Sequence, residues 1–118
     1  MTTHVCCVRV GTLYGPEYVE ILRDMVDRNL TEDFTFWQIT DQPEQIDGVQ
    51  NIPALHRLEG WWSKLSLFSP HMPWDDGDRI IYFDLDVAIT GRLEGLPKGI
   101  IRDWHLPGYN SSVMVWDH

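Results

Sequence analysis

The sequence predicts an α/β domain with a mainly parallel central sheet. Residues 5 to 40 have the pattern of a strand, an amphipathic helix and a second strand, which is the order of a βαβ unit with parallel strands. Residues 79 to 93 hold the densest apolar run of the chain, which is typical of a strand buried on both faces. The 118 residues suffice for one domain with a modest core.

The βαβ unit is predicted element by element from its apolar spacing. Val5 to Val10 is the first strand, and Gly11 to Pro16 is the turn after it. A helix begins at Pro16, because proline suits the first helical turn and apolar residues then recur every three or four positions. The helix is expected to stop at Asn29, and Phe34 to Thr40 is the second strand.

Shorter elements are predicted in the rest of the chain. Residues 44 to 60 are polar and turn-rich, with a short strand near Val49 to Ile52. Residues 61 to 68 have the pattern of a short helix, closed by Pro70, with one apolar face made of Trp61, Leu65 and Phe68. The remaining strands are predicted at Ile80 to Phe83, Lys98 to Arg102 and Val113 to Trp116.

Composition restricts the partners and the compartment. With 9 basic and 18 acidic residues the net charge is -9, which argues against a nucleic-acid or anionic-membrane surface. Cys6 and Cys7 are adjacent, so they point to opposite faces of a strand and are interpreted as buried thiols in a reducing compartment. No apolar run approaches the length of a membrane span, and the first residues lack a basic and then apolar leader, so we expect a cytoplasmic protein.

Two carboxylates stand inside the apolar run. In an extended chain, Asp84 and Asp86 leave the same face of the strand while Leu85 points the other way. A divalent cation relieves the repulsion between two such carboxylates, and oxygen ligands suit Mg²⁺ or Mn²⁺ held together with waters and phosphates. The pair therefore predicts a metal and diphosphate site at the carboxyl end of a strand. Two solvated loop aspartates are the alternative interpretation, because strands often end in Asp.

Other polar residues are expected at the same edge of the sheet. Ligands of parallel sheets bind beyond the carboxyl ends of the strands, where Thr12 to Gly15, Asp41 and the aspartate pair would all lie. Gly11 and Gly15 are also explained by turn formation alone. Lys64 lies among aromatic residues and is either a ligand-binding group or a solvated lysine that extends past the core.

Four segments of the chain, in order, resemble a known family of enzymes. They are Val8 to Tyr14, Trp62 to Leu65, Ile81 to Val87 and Tyr109 to Val115. They resemble the retaining GT-A glycosyltransferases of the glycogenin and bacterial lipopolysaccharide-galactosyltransferase type, a family-eight-like group. The most specific parts are the Asp-x-Asp strand followed by Thr90 to Leu93 and the aromatic-Asn-Ser tract that begins at Tyr109. The resemblance covers nearly the whole chain and implies a nucleotide-diphospho-sugar transferase fold, an αβα sandwich around a mainly parallel sheet.

The resemblance assigns the metal and the nucleotide to particular residues. It implies that Asp86 binds the metal directly and that Asp84 is shared between the metal and the ribose of the donor. Thr12, Leu13 and Tyr14 match the segment that holds the nucleotide base and ribose, with Tyr14 able to stack on the ring. The implied cofactor is Mn²⁺ or Mg²⁺.

The resemblance also assigns residues to the sugar of the donor. Lys64 matches a lysine that faces the sugar or the diphosphate. Asn110 and Ser111 match the donor-sugar loop, and Asp103 falls near an aspartate that contacts the transferred sugar. Asp103 and Lys64 are thus the candidate catalytic residues. The implied reaction is transfer of a hexose, with retention, from a nucleotide-diphosphate sugar that is UDP-linked to a saccharide, lipid or protein acceptor.

The sequence departs from this family at its carboxyl end. Beyond the Asn-Ser tract, relatives carry an acceptor-binding half with a His that completes the metal site, and this sequence ends before such a segment. Ser112 also stands where relatives often have Gly. We therefore expect residues 1 to 118 to be a single nucleotide-sugar-binding domain that is incomplete at its carboxyl end.

Two other functions are compatible with the same residues. The same sheet would serve a non-catalytic nucleotide-sugar-binding module that needs a partner chain. An Asp-x-Asp phosphatase would use Asp84 as the nucleophile and Asp86 as the acid and base. That class has its motif on the first strand with a Thr shortly after, whereas here Ala88 occupies the expected position.

Overall fold

The computed structural model describes residues 1–42, 44–54 and 60–118, with the side chains of residues 60 and 61 outside that description. The helices of the described part are α1 (Pro16–Asn29) and a 3₁₀ helix (Gly60–Phe68), and neither is long and apolar enough to cross a membrane. The strands of the same part are β1 (Thr3–Arg9), β2 (Thr35–Thr40), β3 (Gln50–Pro53), β4 (Arg79–Phe83), β5 (Gly99–Arg102) and β6 (Tyr109–Asp117). Each predicted element has a counterpart here, while part of the predicted connection at 44–60 falls outside the described residues.

The sheet is mixed but largely parallel. Across the described residues its six strands have the order β3-β2-β1-β4-β6-β5. The first four in that order are parallel to one another, and β6 is antiparallel to both of its neighbours. The prediction of an α/β domain with a mainly parallel sheet is therefore confirmed.

The order of the strands reverses next to β1. From β1 the chain passes through α1 to β2 and β3 on one side, and it then forms β4 on the other side of β1. After β4 the chain continues to β5 and β6, on the side away from β2 and β3, so the strand order reverses between the carboxyl ends of β1 and β4. A ligand is predicted at this edge.

One face of the sheet is covered by α1. Proline suits its first turn, where the N–H has no helical partner, and the helix ends where the Leu30 N–H donates to the Val26 carbonyl at 2.8 Å. Its inner stripe of Val19, Leu22 and Val26 is fully buried in a core shared with β1 and β4. Burial of side chains of this size contributes about 1.5–3 kcal/mol each. The predicted bounds of this helix are confirmed.

The opposite face packs against the segment between β3 and β4. Leu67 and Trp74 lie in one core cluster with Cys6 and Tyr82. Cys6 and Cys7 point to opposite faces, as predicted, and both are buried free thiols. Burial raises the pKa of Cys7 to about 12 and that of Cys6 well above its usual value, so neither thiol is a ready nucleophile.

The second helix differs from its prediction. It is a 3₁₀ helix with three residues per turn, so that Ser63 and Ser66 face inward and are fully buried. Leu65 and Phe68, which α-helical spacing assigned to one apolar face, are 51% and 59% exposed. The predicted apolar face is therefore wrong for these two residues, and the side chain of Trp61 lies outside the described part of the chain.

The last strand begins earlier than predicted. The tract Tyr109 to Ser112, expected as a loop, is the first part of β6. Tyr109 and Asn110 pair with β5, and the Asp84 N–H donates to the Ser112 carbonyl at 2.8 Å, just beyond the end of the pairing of β6 with β4. The polar side chains therefore stand on a strand that begins beside the carboxyl end of β4, because backbone pairing outweighs their low strand propensity.

Candidate functional site

A cleft of about 370 Å³ opens at the carboxyl ends of β1 and β4, where the strand order reverses. Its lining includes five residues predicted for the site, which are Leu13, Tyr14, Lys64, Asp84 and Asp86, together with Val8, Val10, Tyr82 and Leu85. A larger and more open hollow of about 550 Å³ lies beside Arg23 and Phe36, at the amino end of β2 and away from these groups. The smaller cleft is therefore the candidate site.

The aspartate pair lies in a turn rather than in an extended strand. β4 ends at Phe83, and the Val87 N–H donates to the Asp84 carbonyl at 3.2 Å, which closes a turn. Leu85 is buried and anchors this turn, whereas Asp86 is exposed. The expected strand geometry is thus wrong, because the chain bends directly after β4, but both carboxylates line the cleft.

One oxygen of Asp84 is occupied by two donors. The Tyr82 hydroxyl donates to Oδ1 of Asp84 at 2.6 Å, and the Lys64 ammonium lies 2.7 Å from the same oxygen. Oδ2 of Asp84 accepts no hydrogen bond within the part of the chain that the structure describes. Burial, together with the hydrogen bond to Asp84, raises the pKa of Tyr82 above its usual range, so the phenol keeps its proton and remains a donor. Asp84 therefore has one oxygen left for a ligand.

Lys64 is fixed by contacts on three sides. Besides its ion pair with Asp84, its ammonium donates to Oγ of Ser111 at 3.0 Å and lies 5.4 Å from the ring centroid of Tyr82, within cation–π range. Its side chain is only 17% exposed, so it is not the solvated lysine of the alternative interpretation. Among the described residues that line the cleft, Lys64 is the only cation.

The loop after β1 is braced from the end of β2. Gly11 has a φ of 73°, a conformation that favours glycine, and its N–H donates to both carboxylate oxygens of Asp41 at 3.2 Å. The side-chain amide of Gln42 donates to the Gly11 carbonyl. Asp41 and the exposed Thr12 do not line the cleft. Their neighbour Leu13 does, and it is 81% exposed, which leaves an apolar side chain available to cover a ligand.

A buried arginine behind this loop was not predicted. Arg9 is 2% exposed, and its guanidinium donates to the side chains of Gln38 and Gln42, each at 3.4 Å. It also pairs with the Glu44 carboxylate at 3.6 Å. Arg9 therefore ties the end of β1 to the end of β2. The signal in the sequence is a single charge inside the apolar strand Val5 to Val10, since a buried charge needs partners.

β6 brings one of the predicted sugar-binding residues to the cleft. Ser111 contacts the Lys64 ammonium, as described above. The neighbouring Asn110 accepts the Ser112 N–H through its side chain at 2.8 Å, and it does not line the cleft. Adjacent residues of a strand point to opposite faces, which explains why Ser111 reaches Lys64 and Asn110 does not.

The predicted catalytic aspartate lies in the β5–β6 hairpin loop. Oδ1 of Asp103 accepts the N–H groups of His105 and Leu106 at 2.9 Å and 3.0 Å. These two hydrogen bonds lower the pKa of Asp103, and the side chain of Asn110 contributes in the same direction. Asp103 is not among the residues that line the cleft, so its catalytic role stays a prediction.

The donor set of the cleft suits only one kind of metal site. Within the described ranges, no three or more His, Cys, Asp or Glu side chains are grouped so that they could hold a metal. Asp84 and Asp86 supply two carboxylates, which fits an ion such as Mg²⁺ or Mn²⁺ that keeps several waters and takes phosphate oxygens. The pair does not fit a closed structural site such as that of zinc.

Comparisons of the chain with models of protein families, with curated protein sequences and with solved structures give no match. The family resemblance therefore rests on the four sequence segments alone. The function has to follow from the chemistry of the cleft.

Proposed function

We propose that this chain is the donor-binding domain of a metal-dependent glycosyltransferase with a GT-A-like fold. It would transfer a hexose, with retention, from a UDP-linked nucleotide-diphosphate sugar to a saccharide, lipid or protein acceptor. The observation that carries the proposal is the cleft between β1 and β4. Two carboxylates, a lysine and the loop that holds Leu13 and Tyr14 all line it. Ligands of open α/β sheets lie at such a reversal of strand order.

The charged groups of the cleft suit a diphosphate. Asp84 and Asp86 would hold a Mn²⁺ or Mg²⁺ ion, which when bound neutralises charge on the departing diphosphate. Lys64 would donate from the facing wall to a phosphate or sugar oxygen. The Tyr82 hydroxyl holds Oδ1 of Asp84, so this side chain keeps one orientation with its second oxygen free. These roles follow from residue types that the described cleft already contains.

The two sides of the cleft would bind different parts of the donor. Leu13 and Tyr14 would cover the base and ribose, and the ring of Tyr14 is fixed edge-on against Tyr18 at 4.9 Å between centroids. Asp41 would act indirectly, because it braces the backbone of the loop that carries both residues and Thr12. The sugar would lie on the side of Lys64, next to the β6 tract that holds Asn110 and Ser111.

Titration calorimetry with UDP, in the presence and absence of Mn²⁺, tests the proposal. We expect wild type to bind UDP about tenfold or more tightly when Mn²⁺ is present, and Asp86→Ala to lose that gain, because the diphosphate is held through the ion. Asp76→Ala, at an exposed position before β4, is the matched control and should bind as wild type does. Equal binding of UDP by wild type and Asp86→Ala in Mn²⁺ would refute the assignment.

A nucleotide-sugar-binding module without transfer is the second candidate. It is favoured by the hairpin loop, where the Asp103 carboxylate is bonded to backbone N–H groups of its own loop. Such a module would bind UDP-glucose or UDP-galactose with Mn²⁺ and release no UDP. Detection of released UDP that depends on Asp86 would decide for the transferase.

A further inference from the structure

Lys64 occupies the carboxylate that the proposed metal would use. We propose that the Lys64 ammonium and the divalent cation exchange at Asp84, so that Lys64 is the resident counter-ion of the metal-free cleft. The inference rests on the proposed function for the metal site and adds a rule for how that site is loaded.

The geometry brings the two cations into direct competition. The Lys64 ammonium lies 2.7 Å from Oδ1 of Asp84. A metal bound to Oδ1 would lie within about 5 Å of that ammonium, given metal–oxygen distances near 2.1 Å, and one bound to Oδ2 would lie only slightly farther away. The two side chains are 17% and 26% exposed, so water screens their charges less than at an open surface. A dication and Lys64 therefore oppose each other at Asp84.

Only the end of the lysine needs to move. The 3₁₀ helix that carries Lys64 is anchored by Leu67, which is 1% exposed, whereas the four-carbon stem of a lysine is flexible. Ser111 already accepts a hydrogen bond from the ammonium at 3.0 Å and can retain it when Asp84 is released. The Tyr82 hydroxyl continues to hold Oδ1 of Asp84.

The exchange makes metal and nucleotide depend on each other. A metal that arrives alone displaces Lys64 without offering it a new anion, so it binds weakly. A diphosphate that arrives with the metal gives the released ammonium a partner. Binding of the two ligands is therefore positively cooperative, and Lys64 contributes to that coupling.

The test measures binding of Mn²⁺ alone, by electron paramagnetic resonance of the free ion, to wild type and Lys64→Met. Removal of the competing charge is expected to tighten Mn²⁺ binding about tenfold. Lys98→Met is the matched control, because Lys98 is also paired with an aspartate, Asp117, at 2.8 Å, but is exposed and lies towards the other end of β4. It changes the net charge equally and is expected to bind Mn²⁺ as wild type does.

Each outcome of this test either supports or overturns the exchange at Asp84. Unchanged or weaker Mn²⁺ binding by Lys64→Met, no Mn²⁺ binding by any variant, or an equal gain in Lys98→Met would overturn the exchange. Lys64→Gln should repeat the gain and Lys64→Arg should not, which separates loss of charge from a damaged fold. If wild type fails to bind UDP with Mn²⁺ while Lys64→Met still binds Mn²⁺ more tightly, the proposed function falls and the exchange stands.

Discussion

An aspartate stands at each end of β4, and the two are used in opposite ways. At the amino end, Asp78 is 4% exposed and accepts on both oxygens, from the Thr2 N–H at 2.9 Å, the Asp75 N–H at 2.9 Å and His4 at 2.8 Å. At the carboxyl end, the Tyr82 hydroxyl and the Lys64 ammonium, which are the side-chain partners of Asp84 among the described residues, both contact Oδ1. We call the Asp78 end saturated, because both oxygens of the carboxylate have partners. We call the Asp84 end half-saturated, because among the described residues only Oδ1 has partners.

The difference separates a carboxylate that holds the fold from one that can take a ligand. The Trp37 indole N–H donates to Nδ1 of His4 at 3.0 Å, so His4 carries its proton on Nε2 and donates it to Asp78. This relay joins β1, β2 and the start of β4, and together with the Thr2 and Asp75 N–H groups it gives both oxygens of Asp78 a partner. Within residues 1–42, 44–54 and 60–118, Asp84 has no comparable relay and no hydrogen bond on its second oxygen.

The largest effect is expected from His4→Ala at the saturated end. His4 is 5% exposed, and its loss leaves the Trp37 N–H without this acceptor, removes one of the three donors to Asp78 and opens space beside Trp74. We expect the free energy of unfolding to fall by about 2–4 kcal/mol, measured by urea denaturation. His105→Ala, in the exposed hairpin loop, should change it by less than about 0.5 kcal/mol. A loss no larger than that of the control would remove the contrast between the two ends.

The dependence of stability on pH is a second test of Asp78, at the amino end of β4. Hydrogen bonds from the Asp75 and Thr2 N–H groups, and then from His4, lower the pKa of Asp78 well below its usual value. A carboxyl group with a lowered pKa stabilises the fold above its unfolded-state pKa of about 3.9, and this contribution is lost as the pH falls below that value. Asp78→Asn should therefore be less stable than wild type at neutral pH and lose less stability between about pH 5 and pH 2. The measurement is the urea midpoint of unfolding as a function of pH. The control Asp76→Asn should show the same change of midpoint with pH as wild type. An identical change for wild type and Asp78→Asn would contradict the role of Asp78.

The smallest change in stability is expected from Tyr82→Phe at the half-saturated end. The variant removes one donor to Asp84 and keeps the ring beside Lys64. The free energy of unfolding should change by no more than about 1 kcal/mol. Mn²⁺ binding should weaken by about threefold to tenfold, because the carboxylate loses the partner that orients it. Calorimetry measures this, with Tyr18→Phe as the control, and unaltered Mn²⁺ affinity would show that Tyr82 has no positioning role.

Most of the fold could be predicted because apolar spacing determines it. The stripe of Val19, Leu22 and Val26 requires a helix with one buried face, and the uninterrupted run in β4 requires burial on both faces. The start of β6 could not be predicted, because the polar tract Tyr109 to Ser112 forms a strand through backbone contacts with β5 and with the Asp84 N–H, which sequence spacing does not show. The 3₁₀ helix could not be predicted either, since three- and four-residue spacings coincide over so short a segment.

The site could be predicted at the level of strand ends and not at the level of contacts. Residues directly after β1 and β4 lie at one edge of a parallel sheet, which is enough to bring Tyr14 and Asp86 together. Sequence spacing does not show which donor a carboxylate meets. Asp41 therefore braces a loop instead of lining the cleft, and Lys64 meets Asp84 across two separate elements.

The adjacency of β1 and β4 also bears on the order in which the molecule folds. His4 and Asp78 are in contact although they are 74 positions apart in the chain. Contacts this distant close late, because a long loop must be ordered before they form, whereas β1, α1 and β2 can assemble from a short stretch. Both walls of the cleft exist only after β4 has docked. Binding of the proposed nucleotide during refolding would therefore report the completion of the sheet and not its nucleation.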